Sequence, residues 1–302
     1  GLVESRPEPP LKLARPGSPY RGQVQAMKFG TRFATLQAIV EAGALEEVIA
    51  AAEAQTPTHQ EGDITYLIPV ARPEKIICIG VNYANRNAEY QDNSDLPEYP
   101  SVFMRTRESL VGHEQPLIDP PESDQLDYEG EIVLVVGKEG RRISQADAHL
   151  HIAGTTIMNE GSIRDYLRHA KFNVTQGKNF AGSGALGPWL VTSDELDPFG
   201  DLQVITRVNG EERQNDVTTN LMFPFRYLVS YLSSFYHLKP GDIIATGTPN
   251  GAGARFDPPK YLKPQDTVEV EVPGVGVLCN HVIAEDAEAH RPVVGADSVG
   301  AS

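Results

Sequence analysis

The hydrophobic positions along the chain predict a protein built largely from short strands. Short runs rich in β-branched and aliphatic residues recur through the sequence and end at glycine, proline or polar residues, as strands do. These runs cover residues 64–70, 75–81, 101–104, 129–136, 152–158, 189–192, 202–208, 242–245 and 267–272. Strands are therefore expected to dominate the main domain.

Helical periodicity is confined to a few places. From Phe33 to Ala54, apolar residues recur at helical spacing with alanines between them, which predicts a helical appendage. Further helices are expected at residues 144–149, 163–168 and 221–232. These helices are too few and too irregularly placed for a doubly wound α/β sheet. The predicted fold class is α+β and mostly β, a mixed β-sandwich or roll with helices around it.

Composition divides the chain into four parts. Residues 1–26 are rich in proline and have no sustained hydrophobic period, so they are expected to form an extended tail. Residues 27–70 make a small N-terminal region, and residues 71–285 make the main domain. Residues 286–302 turn to alanine, glycine, serine and proline and are expected to be disordered.

The net negative charge limits the kinds of binding partner that are expected. The sequence has 41 acidic and 26 basic residues and a formal net charge of -15, so neither a nucleic acid nor an anionic membrane is expected to bind the average surface. No apolar run reaches the roughly 20 residues that span a bilayer, and no signal-peptide pattern is present, which predicts a cytoplasmic protein. A small anionic substrate would need a local cationic centre, and a bound metal is one way to supply it.

Three glutamates are the candidate metal ligands. Glu129 and Glu131 in LDYEGEIVLVVG belong to a predicted buried strand, whose period of two places both on one face. Glu160 lies at the tip of a second apolar strand, HIAGTTIMN. Carboxylates without cysteine or histidine favour a hard ion, Mg²⁺ or Mn²⁺. The alternative is that Glu129 and Glu131 form an exposed strand face or pair with arginines.

Eight motifs occur in an order that resembles the fumarylacetoacetate hydrolase family, from about Lys75 to about Val282. They are IGVNYANRNAE (79–89), DYEGEIVLVVGK (127–138), MNEGSIRD (158–165), GKNF (177–180), LGPWLVT (186–192), VNGEERQ (208–214), LKPGDIIATGTPNGAG (238–253) and a closing strand near VGVLCNHV. A single motif would be a weak signal, but their joint order is specific.

The resemblance implies a β-roll catalytic domain, a homodimer, and chemistry on a small anionic 2-oxo acid. It implies that Glu129, Glu131 and Glu160 bind Mg²⁺ or Mn²⁺, and that Lys178 and Thr248 are catalytic. The leading hypothesis is a metal-dependent hydrolase that cleaves a carbon-carbon bond in a fumarylpyruvate- or fumarylacetoacetate-like acid. The alternatives are a 2-oxo acid decarboxylase or enol-keto isomerase on the same scaffold, and a catalytically silent metabolite-binding paralogue.

The chain departs from the family pattern at three places. Glu160 stands where aspartate is common, and the usual acidic residue shortly after Lys178 is absent. In the NYxxHxxE pattern of hydrolases, Arg86 replaces the histidine while Glu89 is retained. Arg86 cannot act as a base near neutral pH, so we interpret it as a clamp for a substrate carboxylate.

The remaining site predictions concern the base and the pocket. Glu89 is the candidate general base, and His113 and His169 are alternatives that are expected to make structural hydrogen bonds instead. Tyr83 and Gly247 are expected to bind substrate together with Arg86 and Thr248. Two further pairs, Arg164 with Asp165 and Asn82 with Tyr83, are expected to support the site.

Overall fold

The structure of the protein is a computed structural model. The structure describes residues 32–33, 35–53, 64–84, 97–170 and 173–286, together with two short paired strands at 23–24 and 59–60. The predicted tails at 1–26 and 286–302 lie almost wholly outside the described residues, as do Arg86 and Glu89.

The described part of the chain is mostly β. Its strands are β1 (Gln23–Val24), β2 (His59–Gln60), β3 (Ile76–Ile79), β4 (Val102–Arg105), β5 (Leu110–Val111), β6 (Leu117–Asp119), β7 (Leu126–Asp127), β8 (Gly130–Val136), β9 (Ile152–Asn159), β10 (Ser162–Ile163), β11 (Gly184–Thr192), β12 (Gln203–Val208), β13 (Glu211–Val217), β14 (Ile243–Ala245), β15 (Thr267–Val272) and β16 (Gly276–Ala284). The helices are α1 (Leu36–Glu41), α2 (Leu45–Glu53), α3 (Thr175–Lys178) and α4 (Phe225–Phe235). The predicted α+β, mostly β class is confirmed.

Two mixed sheets form the body of the fold. The larger has seven strands in the order β4-β3-β14-β8-β9-β11-β5, and the smaller has five in the order β13-β12-β15-β16-β6. Each sheet combines antiparallel and parallel neighbours; for example, β14 pairs parallel with β3 and antiparallel with β8. Strand β8 therefore lies in the centre of the larger sheet, buried along its whole length.

Strand β8 contributes to a core on each of its faces. Ile132 and Leu134 pack in the cluster that fills the space between the sheets, with residues of β12, β15 and β16. Val133 and Val135 point the other way and pack in a second cluster that includes Val40 of α1. Because successive side chains alternate between faces, Glu131 lies on the Val133 face and Gly130 on the face toward the smaller sheet.

The packing explains why glycine occupies position 130. A Cβ atom there would lie 2.1 Å from Thr206 Oγ1 and 3.0 Å from Val270 Cγ1, both on the smaller sheet. The two sheets therefore pack closely beside the two glutamates.

Several predicted element boundaries were wrong. The predicted helix at 33–54 is two helices, because Gly43 between them adopts a left-handed φ of 63° that favours glycine. The predicted strand at 64–70 is irregular chain, although Ile68 and Val70 still pack in the second cluster. Pro69 has no N–H to donate to a ladder, which disfavours a strand there.

The remaining helix predictions also shifted. The segment 144–149 contributes only a 3-10 turn at Ala148–His151. The segment 163–168 begins as strand β10, which pairs with β7, and becomes a 3-10 turn at Tyr166–Arg168. The helix expected at 221–232 begins after Pro224 and ends at Phe235. Within the described residues, every helix is too short or too polar to cross a membrane.

Candidate metal centre and active site

The three predicted metal ligands meet at one end of the β8–β9 pair. Glu129 directly precedes β8, Glu131 is its second residue, and Glu160 directly follows β9. The antiparallel register sets Gly130 opposite Asn159, and Glu160 N donates to Glu129 O at 2.7 Å. One carboxylate oxygen from each glutamate lies within 4.8 Å of the others. All three side chains are buried.

The electrostatics of this carboxylate triad fit a divalent cation. Burial raises the pKa of Glu131 well above its ordinary value, and the neighbouring charges of Glu160 and Glu129 raise it further. Among the described residues, Glu131 Oε1 and Glu160 Oε1 have no hydrogen-bond partner. Buried carboxylates that repel each other and retain unused oxygens match what a hard, oxygen-seeking ion requires.

Lys178, a site residue implied by the family resemblance, lies against the triad. Its Nζ atom is 2.5 Å from Glu129 Oε2 and 3.3 Å from Glu160 Oε2. Lys178 is the last residue of α3, and it is 5% exposed. The ring of Phe103 packs 5.2 Å from the ammonium and covers another side of it. The lysine is thus a buried cation beside two candidate metal ligands.

Arg164 contacts the triad through an ion pair with Glu129. Its Nη2 atom is 2.7 Å from Glu129 Oε1, and its Nε donates to Asp127 Oδ2 at 2.6 Å. Asp127 also accepts from the backbone N–H groups of Gly253 (2.7 Å) and Ala254 (2.9 Å). The sequence left open whether Glu129 binds a metal or pairs with an arginine. In the structure, Glu129 pairs with Arg164 and also belongs to the carboxylate triad.

Arg105 and Asp127 are two residues of this network that the sequence analysis missed. Arg105, at the end of β4, donates to Gly161 O at 2.7 Å, and its Nη1 lies 3.9 Å from Glu160 Oε1. Asp127 stands two residues before Glu129, so strand alternation could have placed it on the same face. Arg105 carried no sequence signal, because its position depends on how β4 and β9 are arranged in the sheet.

The TGTP turn after β14 is fixed to the triad and to the core. Thr246 O accepts from Asn82 Nδ2 at 2.7 Å, as expected for a supporting asparagine. Gly247 N donates to Glu131 Oε2 at 2.9 Å. The φ of Gly247 is 102°, and an added Cβ would lie 2.7 Å from Asn82 Cβ, so glycine is required. Gly247 thus contacts a candidate metal ligand, and its substrate-binding role stays a prediction.

Thr248 and Tyr83 are the other described residues of the predicted substrate site. Thr248 is fully buried, and its hydroxyl accepts from Gln214 Nε2 at 2.9 Å. Tyr83 is 1% exposed, and its hydroxyl has no hydrogen-bond partner among the described residues. Burial raises the pKa of Tyr83, and the charges of Asp216 and Glu131 add to the shift. The phenol therefore stays protonated and able to donate.

The two histidines weighed as bases make local contacts. His113 Nδ1 accepts from Cys279 N at 3.0 Å, and the ring lies edge-on to Tyr66. The ring of His169 lies 4.2 Å from that of Tyr166. The structural hydrogen bond expected of His113 is present, whereas the contact described for His169 is a ring contact and its expected hydrogen bond stays a prediction.

The fold and the buried triad define a β-rich domain with a candidate divalent-metal centre. A family model described as fumarylacetoacetate (FAA) hydrolase C-terminal matches residues 75–283. The chain therefore belongs to the fumarylacetoacetate hydrolase family. The matched range lies within the predicted domain at 71–285.

Relatives in this family are enzymes with related chemistries. The chain is 39% identical over 231 residues to oxaloacetate tautomerase FAHD2A, mitochondrial, of Bos taurus, covering 76% of this chain and 73% of the relative. It is 38% identical over 239 residues to oxaloacetate tautomerase YisK of Bacillus subtilis, covering 76% and 79%.

Solved structures agree with this assignment. A probable 2-hydroxyhepta-2,4-diene-1,7-dioate isomerase from Mycobacterium abscessus has a TM-score of 0.72 and 31% identity, covering 83% of this chain and 89% of that one. A fumarylacetoacetate hydrolase from Exiguobacterium antarcticum has a TM-score of 0.71 and 29% identity, covering 87% and 95%. The chain is similar to isomerases, tautomerases and hydrolases of one family.

Proposed function

We propose that the protein is a divalent-metal-dependent tautomerase that interconverts the enol and keto forms of a small 2-oxo dicarboxylic acid of the oxaloacetate type. The observation that carries this proposal is a buried carboxylate triad in contact with the buried ammonium of Lys178. This arrangement suits the stabilisation of an enolate, which is the charge that develops when a proton leaves the carbon next to a 2-oxo group.

Glu129, Glu131 and Glu160 would hold the ion, which we propose to be Mg²⁺ or Mn²⁺. A bound ion would supply Lewis acidity for the carboxylate and 2-oxo oxygens of the substrate. Lys178 adds a fixed positive charge in a site from which water is largely excluded, where a charge interacts more strongly than in bulk water. The catalytic role proposed for Lys178 is therefore electrostatic.

The substrate carboxylates would be bound by neutral donors and one arginine. Thr248 and Tyr83 carry buried hydroxyls that can donate to a carboxylate or oxyanion. Arg86 is proposed as the clamp for the second carboxylate, because its planar guanidinium binds a carboxylate through two parallel hydrogen bonds. An acid with two carboxylates is thus favoured over a monocarboxylic acid.

The IGVNYANRNAE motif favours tautomerisation over hydrolysis because it contains no histidine. The sequence has no histidine between His59 and His113, so IGVNYANRNAE cannot form the histidine-glutamate pair that activates water in hydrolases. Moving a proton between carbon and oxygen needs one proton carrier and no activated water, and Glu89 is proposed for that role. The tautomerases at 38–39% identity support the same choice.

Carbon-carbon bond hydrolysis remains the second candidate. The observation in its favour is the similarity to the Exiguobacterium antarcticum fumarylacetoacetate hydrolase, which extends over 87% of this chain. In that case Glu89 alone would have to activate water. The two candidates therefore make opposite predictions for acylpyruvates.

The test compares three reactions in the presence of Mg²⁺ or Mn²⁺. The ultraviolet absorbance of the enol follows ketonisation of oxaloacetate, a coupled assay follows its decarboxylation, and loss of the diketone absorbance follows hydrolysis of acetylpyruvate. We expect metal-dependent ketonisation to be much the fastest. Lys178→Met should slow it about 100-fold, whereas the matched control Lys138→Met, at an exposed lysine, should leave it unchanged. Faster hydrolysis of acetylpyruvate would replace the proposal by the second candidate.

The predicted homodimer is kept as a proposal. Light scattering coupled to size-exclusion chromatography would test it by giving a mass of twice 32.9 kDa. A monomer mass at working concentration would contradict it.

A further inference from the structure

Gln214 is the last residue of the VNGEERQ motif and is neither a candidate metal ligand nor a predicted substrate-binding residue. It lies on β13, the edge strand of the smaller sheet, whose other residues are exposed or only partly buried. Gln214 is 1% exposed and is the single buried residue of that strand. A fully buried amide on an edge strand must use its polar atoms in specific contacts, because leaving them unpaired costs about 1–3 kcal/mol.

The hydrogen bonds of Gln214 join strand β8, beside the candidate ligands, to the TGTP turn. Its Oε1 accepts from Gly130 N at 2.9 Å, between the candidate ligands Glu129 and Glu131. Its Nε2 donates to Thr248 Oγ1 at 2.9 Å and to Pro249 O at 2.8 Å. One side chain thus spans from the metal-binding strand to the TGTP turn.

These partners fix the orientation of the amide. A flipped amide would bring its NH₂ group against the Gly130 N–H and its oxygen against the Pro249 carbonyl, so two attractive contacts would become repulsive. Since the NH₂ group must face Thr248, the threonine hydroxyl is an acceptor toward Gln214. The proton of that hydroxyl is consequently directed to a different acceptor.

We propose that Gln214 is a positioning residue that orients the Thr248 hydroxyl as a hydrogen-bond donor to the bound 2-oxo acid. It acts through Thr248 and does not itself touch the substrate. The inference rests on the proposed function for the identity of the acid, but it makes a separate claim about binding. Gln214 also ties the turn to Gly130, so the donor keeps its position relative to the carboxylate triad.

The test is a double-mutant cycle between positions 214 and 248. Gln214→Met keeps the length of the side chain and removes its hydrogen bonds, and Thr248→Val keeps the shape of threonine and removes its hydroxyl. The matched control is Gln203→Met, which removes an exposed amide hydrogen bond to Asn215 of β13 (2.6 Å) that lies outside the candidate site. Calorimetry measures the binding of oxalate, a non-reacting dianion with the chelating edge of a 2-oxo acid, to the Mn²⁺-loaded protein.

The cycle has a defined expected result. Gln214→Met should weaken oxalate binding on the order of fivefold, the scale of one neutral hydrogen bond. The same change in the Thr248→Val protein should cause no further loss, because the hydroxyl through which Gln214 acts is absent. In a Thr248→Ser protein, which retains a hydroxyl, the loss caused by Gln214→Met should return. Gln203→Met should bind oxalate as the wild type does.

Other results would overturn the proposal. Independent, additive losses at the two positions, or a loss of Mn²⁺ affinity as large as the loss of oxalate affinity, would show that Gln214 only supports the fold. If Gln214→Met does not fold, Gln214→Asn replaces it, since a side chain one methylene shorter cannot span the same partners, and the same outcomes decide.

Failure of the proposal is distinguishable from failure of the proposed function. Oxalate binding requires no turnover, so the cycle can be measured in a protein that does not ketonise oxaloacetate. Coupling between positions 214 and 248 without turnover would refute the tautomerase and retain the role of Gln214. Turnover without coupling would do the reverse.

Discussion

Replacement of Glu131 by glutamine tests the metal centre most directly. Glu131 is completely buried, none of its oxygens is in a described ion pair, and its one described hydrogen bond is from Gly247 N. Glu131→Gln keeps the size of the side chain and an oxygen for Gly247, but it removes one of the three carboxylates proposed as ligands. We therefore expect the fold to persist and divalent-metal binding to be lost.

The magnitude can be worked out for thermal unfolding. An ion present at a hundred times its Kd stabilises a protein by about 2.7 kcal/mol. For a chain of 302 residues, the entropy of unfolding is about 0.6 kcal/mol per degree, so saturating Mn²⁺ should raise the Tm of the wild type by about 4 °C. The Glu131→Gln protein should show almost none of this increase.

In the absence of metal, the Glu131→Gln substitution should not lower the stability of the protein. The raised pKa of Glu131 reflects a carboxylate that burial and neighbouring charges disfavour, and glutamine has no charge to bury. Metal-free Glu131→Gln should thus be at least as stable as the metal-free wild type. Calorimetric scans with and without Mn²⁺ measure both effects, and Glu269→Gln, on a partly exposed strand position, is the control. A full Mn²⁺ shift in Glu131→Gln would refute the assignment of this residue as a ligand.

Three further substitutions separate the roles of the basic residues. Lys178→Met should lower kcat by about 100-fold, the scale of one removed donor to a developing oxyanion, with little change in Mn²⁺ affinity; equal losses would exclude an electrostatic role toward the substrate. Arg164→Lys should lower the free energy of unfolding in urea by about 1.5–3 kcal/mol, because a lysine cannot contact Asp127 and Glu129 as the guanidinium does; an unchanged midpoint would contradict this. Arg86→Lys should weaken binding of a dicarboxylic substrate by about 1.5–3 kcal/mol and that of a monocarboxylic analogue very little; identical losses on both would make Arg86 a structural residue.

The sequence predicted the central strands well because buried strands are rich in apolar residues. GEIVLVV and IAGTTIMN contain few polar residues, and both are buried along their length. The predictions failed where the pattern is ambiguous over a few residues. The 33–54 segment has helical spacing throughout, yet a single left-handed glycine divides it. The 64–70 segment is apolar like a strand, but it packs on the core without joining a sheet.

The arrangement of the candidate ligands was likewise predictable only in part. Alternation along β8 places Glu129 and Glu131 on one face from sequence alone, and the end of an apolar strand marks Glu160. Their convergence follows from the antiparallel register of β8 and β9, which no local pattern specifies. Lys178, in the short helix α3, was linked to the triad only by the family resemblance.

By itself, the sequence determined the β-rich class, the three carboxylates and the family, because strand period and residue chemistry are local properties and the order of the motifs is read directly along the chain. Only the tertiary structure brought Arg105 and Gln214 to the site. Arg105 ends β4 on the larger sheet, and Gln214 lies on an edge strand of the smaller one. Arg105 reaches Glu160 through the order of strands within the larger sheet, and Gln214 reaches Gly130 because the two sheets pack closely there. Contacts between residues distant in the chain depend on how complete sheets pack, and that information is not contained in any one segment.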